Sequence, residues 1–220
     1  FVNPMTALGF VETMKMEGHK AIVHTAAASN LGQMLNRICL SDGVPLVNIV
    51  RSEDQVALLK AEGAVHVVNS SDADFSNQLA AAVNATGATL AFDAIGGGKL
   101  GNAILMAMEA AAVKRMSEWS RYGSNEFKQL YIYGALDLAP TSLNRGYGFS
   151  WGIGGWLLTP FMMKAGREVV DRMQARVVAE LTSTFASSYS DRLSLVESVT
   201  PSAGAKYGVR RTGQKALITF

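Results

Sequence analysis

The stretch AIVHTAAASNLGQMLNRICLSDGVPLVNIVR, Ala21 to Arg51, decides the fold. An apolar run, AIVHT, gives way to a small-residue turn, AAASNLG, then to the helix-patterned QMLNRICL and a second apolar run, PLVNIV. This reads as strand, tight turn, helix, strand. Within the turn, Ala27, Ser29 and Gly32 stand at the spacing of the G-x-G-x-x-G dinucleotide fingerprint, with only the third glycine kept. Small side chains let the backbone come close to a pyrophosphate, and the helix N-terminus offers unpaired N–H groups with a partial positive charge. The spacing gains its meaning from its place between strand and helix, with the next strand ending about 20 residues later.

Leu31, Met34, Leu35, Ile38 and Cys39 share one face of the fingerprint helix, which Ser41, Asp42 and Gly43 terminate. Cys39 reads as a small buried hydrophobe, with no basic neighbour to activate its thiol. The end of the second strand selects between cofactors. An acidic side chain there holds the ribose 2′-OH of NAD, and a basic one suits the 2′-phosphate of NADP. The residue is Arg51, and its guanidinium matches phosphate geometry. A solvated surface arginine is the competing reading. Glu53, the first acid, follows Ser52; Ser52 to Gln55 has the pattern of a capping box, so Glu53 reads as a first-turn residue favoured by the helix dipole.

Outward from this core, a helix from Glu53 to Glu62, a strand VHVVN, a helix around Phe75, Leu79 and Val83, and a strand TLAFD make two βαβ crossovers in series. That arrangement requires a parallel sheet. The last of these strands runs into DAIGGG, Asp93 to Gly98, on the same sheet edge as the fingerprint turn; a plain strand-to-helix loop is the competing reading. Upstream, residues 1–18 open with an Asn-Pro turn and read as an entry helix closed by Gly18.

Composition excludes several classes. The chain has 220 residues, 49% of them hydrophobic and 17% charged, an ordinary core-forming balance. A net charge of +2, with no basic run, gives no reason to expect nucleic acid or an anionic membrane surface. A single cysteine excludes an internal disulfide and a four-cysteine zinc site and fits a reducing, cytoplasmic setting. No apolar stretch approaches the roughly 18 residues of a membrane span. Phe1 is not an initiator methionine, so the chain reads as the downstream part of a longer protein.

The succession FVNPMTALG, TAAASNLGQ, NIVRSEDQ, AEGAVHVVNSSD, FDAIGGG and TGQKALITF resembles the cofactor-binding half of the medium-chain dehydrogenase/reductase superfamily, nearest its zinc-independent quinone oxidoreductase and enoyl reductase branches. The resemblance implies a Rossmann-type, doubly wound parallel α/β sheet over residues 1–184, with an exposed helical insertion at about 113–129. Residues 185–220 would then be C-terminal strands returning toward an absent, GroES-like catalytic domain. It further implies that Asn3 and Thr6 face the nicotinamide and that Ala28, Ser29, Asn30 and Leu31, within the Ala27 to Gly32 turn, line the pyrophosphate. Arg51 would meet the 2′-phosphate, and Asp93, Ala94 and Ile95 would border the nicotinamide ribose. Gly134, Ala135 and Leu136 would form the nicotinamide-side loop, Trp156 would be the aromatic residue beside that ring, and Lys215 would reach the cofactor phosphates.

The departures from the pattern are informative. Zinc-dependent members carry a metal-binding cysteine before the entry helix, where this chain has Val2 and Asn3. Ser29 and Asn30 replace glycines; asparagine tolerates unusual backbone angles, so the turn is expected to survive. Ser70 stands where some quinone reductases place a tyrosine, which leaves Arg51 with more of the selectivity.

His19, His24 and His66 lack short-spaced ligand partners and read as structural; Tyr131 and Tyr133 alternate on one strand face and read as packing residues, although one of them is placed to border the site. The glycine-rich run Gly148 to Met163 reads as a sheet edge that pairs with a second copy in a homodimer or covers the monomer's own edge. From Pro160 a long helix is expected through Val177 toward Thr182.

The reading is an NADPH-dependent, zinc-independent oxidoreductase passing hydride to a quinone, enone or small carbonyl, with NADP(H) as cofactor and no metal. By itself the chain is expected to bind cofactor and turn over little. No proton donor stands out. A non-catalytic NADPH-binding or structural protein on the same scaffold is the alternative. A Rossmann-type methyltransferase, which wants an acid at the second strand end, is opposed by Arg51.

Overall fold

The structure, a computed structural model, describes residues 1–208 and 215–220. Thr212, Gly213 and Gln214 of the closing TGQKALITF motif lie outside the described residues. In chain order the elements are α1 (Val2–Met16), β1 (Ile22–His24), α2 (Asn30–Asp42), β2 (Leu46–Val50), α3 (Glu53–Ala61), β3 (His66–Asn69), α4 (Phe75–Thr86) and β4 (Leu90–Asp93). There follow β5 (Gly96–Gly98), α5 (Leu100–Lys114), β6 (Lys128–Ile132), β7 (Asp137–Thr141), β8 (Trp151–Gly155), α6 (Leu158–Ala165) and α7 (Arg167–Ala179). The tail holds β9 (Asp191–Ser194), α8 (Leu195–Ser198), α9 (Pro201–Gly208) and β10 (Ala216–Thr219).

Six strands form one parallel sheet in the order β3-β2-β1-β4-β6-β8. This is the doubly wound order, and the chain reverses direction across the sheet between β1 and β4. Alternation along the strands supplies both faces. Ile22, Leu46, Leu90 and Phe92 join the apolar sides of α1, α2, α6 and α7, while Val23, Val47, Val68, Ala91 and Leu130 join those of α4 and α5. Strands covered on both sides lose the polar-apolar alternation of a half-exposed sheet, which is why β2 is buried at every position.

Four expectations are corrected. The segment after α5 is not a helical insertion: Met116 to Phe127 runs through turns and bends, and Lys128 and Gln129 already belong to β6. What holds it is a buried ion pair. Lys128 Nζ donates to Glu109 Oε2 at 2.5 Å, to Ser124 Oγ at 2.9 Å and to the Glu126 carbonyl at 2.8 Å. Ser124 returns N–H and O–H bonds to the same carboxylate. Burial alone would raise the Glu109 carboxyl, but these donors and the ammonium more than reverse that and hold it below the ordinary carboxylate range.

The second concerns the competing reading of Gly96 to Gly98 as a plain loop, which fails because they form a strand. They pair in parallel with β7, and a Cβ on Gly97 would sit 2.6 Å from the Ala139 carbonyl oxygen. The glycines thus serve a backbone contact. Third, the helix expected from Pro160 is two helices, α6 and α7, broken at Gly166, whose φ of 83° and ψ of 165° no helix accommodates. Fourth, the C-terminal segment is not strands alone, since α8 and α9 separate the parallel pair β9 and β10. The expected edge is present: among the described residues β8 pairs with β6 only, and it carries Gly152, Gly154 and Gly155.

Candidate functional site

The carboxyl ends of β1, β2, β4, β6 and β8 share one edge of the sheet, because all five strands run parallel. Ligands of open α/β sheets bind beyond this edge, at the point where the winding reverses. Here that point lies between β1 and β4.

At the β1–α2 turn, Ser29 is the N-cap of α2, with its Oγ accepting the Gly32 N–H at 3.1 Å. A Cβ on Gly32 would stand 2.1 Å from the Ala27 carbonyl oxygen, so only glycine lets the helix close on the turn. Ala27 and Ala28 are buried beneath it, while Ser29 and Asn30 are half-exposed and Leu31 turns inward. The substitutions at Ser29 and Asn30 do not need unusual backbone angles, contrary to expectation. Ser29 is extended, at φ −64° and ψ 164°, and Asn30 is the first helical residue. The left-handed position is Ala26, at φ 49°, one residue before the fingerprint begins. The first N–H groups of α2 have no intrahelical acceptors and face out of this turn.

Arg51 follows β2, is exposed, and its guanidinium makes no ion pair or hydrogen bond among the described residues. Its backbone is held on both sides: its N–H donates to Gln55 Oε1 at 3.1 Å, and its carbonyl accepts from Ser71 Oγ at 3.0 Å. The capping box expected from Ser52 and Gln55 is therefore not formed, since Gln55 reaches back one residue further and the Ser52 side chain makes no cap bond. Glu53 accepts from Asn69 Nδ2 at 2.7 Å, as a first-turn residue with its own partner.

Lys215 comes to the same region from the far end of the chain. Its Nζ lies 3.1 Å from Ser187 Oγ, which donates to Asn30 Oδ1 at 2.9 Å, and it sits 4.9 Å from the centre of the Tyr189 ring. A relay of two hydrogen bonds thus ties this cation to the α2 N-terminus.

Asp93 is buried, with its carboxylate fully engaged in local structure. It accepts from Thr25 Oγ1 at 2.7 Å and from the N–H groups of Ile95 and Gly96, while Ala94 N–H donates back to Thr25 Oγ1 at 2.8 Å. Asp93 clamps the β1 and β4 ends together and so shapes the switch point. The loop Gly134 to Leu136 packs on it: Leu136 N–H donates to the Ala94 carbonyl at 3.2 Å, and a Cβ on Gly134 would stand 2.6 Å from that oxygen.

Beside this loop an open cleft of about 590 Å³ is lined by Ile132, Tyr133, Gly134, Ala135, Gly155, Trp156, Leu157 and Pro160. Trp156 is mostly buried. Its indole N–H donates to Thr13 Oγ1 at 3.0 Å, and its ring rests on Gly9 of α1, where a Cβ would approach to 2.9 Å. Asn3 is half-exposed and Thr6 buried on the first turns of α1; neither lines the cleft. Leu136 is exposed outside it.

The structure also shows a contact that sequence reasoning passed over. Tyr133 Oη and His24 Nε2 are 2.7 Å apart, their rings stacked at a centroid distance of 5.8 Å. Burial lowers His24 to about 3, so it is neutral, and burial with the Asp93 carboxylate nearby pushes the Tyr133 phenol up. No pattern in the chain pairs residues 109 apart; the strand alternation of Tyr131 and Tyr133 was the one available hint. Burial also pushes up the Cys39 thiol, with Asp42 adding to it and Arg176 opposing. No group of three or more histidine, cysteine or acidic side chains with metal-binding geometry occurs among the described residues.

No protein-family model matches the chain, and no curated protein does. Solved structures do. A protein from Mesorhizobium loti provisionally assigned as an NADPH:quinone reductase superposes with a TM-score of 0.79 at 26% identity, over all of this chain and 59% of that one. An enoyl thioester reductase from Candida tropicalis gives 0.68 at 18% identity, again over 100% and 59%. A quinone oxidoreductase from Pseudomonas syringae gives 0.66 at 15%, over 99% and 62%. The chain spans about 59% of the length of the first two. Over its whole length it shares the fold of a little over half of each of these reductases, in line with the resemblance its motifs suggested.

Proposed function

We propose that this chain is the NADP(H)-binding half of an oxidoreductase that transfers hydride between nicotinamide and a quinone, enone or small carbonyl. The observation that carries the reading is Arg51: an exposed guanidinium without a partner among the described residues, held by its backbone at the end of β2, on the same sheet edge as the α2 N-terminus. A residue with no structural task at the position that discriminates the ribose substituent is suited to a 2′-phosphate. The residues fit the rest of the dinucleotide. Gly32 permits the close turn, the α2 N-terminus and Lys215 supply positive charge for the pyrophosphate, and the loop Gly134 to Leu136 leads into a cleft large enough for a nicotinamide. When bound, NADPH would supply the hydride, and Gly134, Ala135 and Trp156 on the cleft wall would orient its nicotinamide end.

The structural neighbours support the same reading, one of them bearing the name NADPH:quinone reductase and another, Etr1p, having been solved with NADP and crotonyl-CoA. Carried over to this chain, the reaction belongs to a longer protein in which a second domain closes the cleft. The free β8 edge is suited to pairing with a second copy across a two-fold axis, giving a homodimer, and a cytoplasmic setting fits the single, buried cysteine. A non-catalytic NADPH-binding role is the second reading, favoured by a cleft whose two titratable neighbours, His24 and Tyr133, stay neutral near pH 7.

Calorimetric titration with NADPH and NADH tests the nucleotide reading. NADPH binds more tightly, and Arg51→Ala loses about 10- to 100-fold of that affinity, the worth of one to two charge-assisted hydrogen bonds, while NADH is unaffected. Equal affinity for the two nucleotides before and after the substitution contradicts it. Reduction of a simple quinone by the longer protein separates the enzyme from the binding protein.

A further inference from the structure

The inner wall of the cleft carries a polar pair in an otherwise apolar neighbourhood. Tyr133 lines the cleft, and its Oη is 2.7 Å from Nε2 of His24, which is fully buried beside Phe10. The other ring nitrogen, Nδ1, is buried with no hydrogen-bond partner. Two arrangements of protons satisfy the short contact. If Tyr133 donates, His24 must carry its proton on Nδ1, which leaves a buried N–H orphaned. If Nε2–H donates to Tyr133 Oη, Nδ1 keeps only a lone pair in apolar surroundings. The first leaves a polar N–H without a partner in the apolar interior, whereas in the second the unpaired O–H belongs to Tyr133, which lines the open cleft and can find an acceptor there. The second arrangement is therefore preferred, and it has a consequence for Tyr133: its own proton is not consumed by His24. Among the described residues the phenolic O–H has no other acceptor.

We propose that Tyr133 donates a hydrogen bond from the cleft wall to the carboxamide carbonyl oxygen of a bound nicotinamide, with His24 as the positioning residue that accepts no proton from it and turns its O–H toward the ligand. The inference rests on the nucleotide reading above. Two observations favour a binding contact over a proton source. Burial and the Asp93 carboxylate hold the phenol neutral, so it keeps its proton near pH 7. The adjoining loop, Gly134 to Leu136, packs on Ala94 at the switch point, which places the cleft in line with the α2 turn along one edge.

The test is calorimetric titration of this chain with NADPH and with 2′,5′-ADP, which lacks the nicotinamide, alongside ¹⁵N NMR of the histidine rings. Tyr133→Phe is expected to weaken NADPH by about 3- to 10-fold, the worth of one neutral hydrogen bond, and to leave 2′,5′-ADP unchanged. His24→Leu gives the same selective loss. His24→Gln, whose amide N–H stands in for Nε2–H, restores NADPH affinity to within about 2-fold of the unaltered chain, a small fraction of one hydrogen bond. The ring of His24 is expected to show Nε2 protonated and Nδ1 bare. NADPH binding indifferent to Tyr133→Phe, or a His24 proton on Nδ1, overturns the inference while the nucleotide reading stands. Loss of 2′,5′-ADP in Tyr133→Phe assigns the residue to the fold and overturns it too. Failure of the unaltered chain to bind either nucleotide removes the nucleotide reading and this inference together.

Discussion

The two ends of the crevice are built differently. Where α2 and α3 begin, the backbone is held by bonds short in sequence, Ser29 capping the N–H three residues on and Gln55 holding the N–H of Arg51 four residues back, with Ser71 and the Ser187–Lys215 relay added from farther along the chain. In the cleft beside β6 and β8 they are long: His24 at the end of β1 meets Tyr133 just after β6 across 109 positions, and Thr13 of α1 meets Trp156 just after β8 across 143. The first end is a backbone device with small side chains and the cations of Arg51 and Lys215 at its rim. The second is a side-chain device, aromatic and mostly dry. A turn can be specified locally and survive the loss of two glycines; an aromatic cleft exists only when the whole sheet is assembled.

That contrast is most strongly broken through β6. Lys128 begins this strand and is fully buried against Glu109. Lys128→Met leaves the carboxylate buried and unpaired, and we expect a loss of about 3–5 kcal/mol in urea unfolding, with a much smaller loss when Glu109→Leu is added. A single-variant cost below about 1 kcal/mol, in the range of an exposed ion pair, would mean that this cluster does not hold the aromatic end in place.

A pH titration sharpens the same comparison. His24 has its folded value lowered from 6.5 to about 3, so between these values the unfolded chain binds the proton and the folded chain does not. Stability therefore falls as pH drops through this window, by about 1.4 kcal/mol per pH unit from this group alone. His24→Gln should flatten that slope by the same amount. An unchanged slope would mean that His24 is protonated in the folded protein and that the cleft end is wetter than described.

At the nucleotide end the expected effect is smaller and of opposite sign. Ala26 holds φ at 49°, a conformation that costs an L-residue about 1–2 kcal/mol and glycine little. Ala26→Gly should raise the melting temperature by the equivalent of about 1 kcal/mol, as measured by calorimetry. A lower melting temperature would place the strain elsewhere in the turn.

What was legible in the sequence follows the same division. The parallel sheet, the α2 turn, the reason for Gly32 and the placement of Arg51 all come from periodicity and spacing within about 30 residues, the length of one βαβ unit. The position of the left-handed residue was misplaced because Ala26 carries no glycine to announce it. For Gly96 to Gly98 a plain loop stayed open as a competing reading because glycine marks both bends and close backbone approach, and the partner strand β7 distinguishes them. The insertion read as helical because Glu109, Ser124 and Lys128 give no local sign of meeting one another. His24 read as structural and Tyr133 as packing, with one of the two tyrosines bordering the site, which describes the burial of His24 and the place of Tyr133 on the cleft wall and misses their pairing.

The most direct test of the central claim, that both ends belong to one cofactor crevice, is chemical-shift mapping of the chain with NADPH and with 2′,5′-ADP. The account predicts that 2′,5′-ADP perturbs the backbone amides of Ala27 to Leu31 and of Arg51 and spares those of Tyr133 to Ala135, whereas NADPH perturbs both groups and also the Trp156 indole N–H. Perturbations by NADPH confined to the first group, or falling on neither, would contradict it.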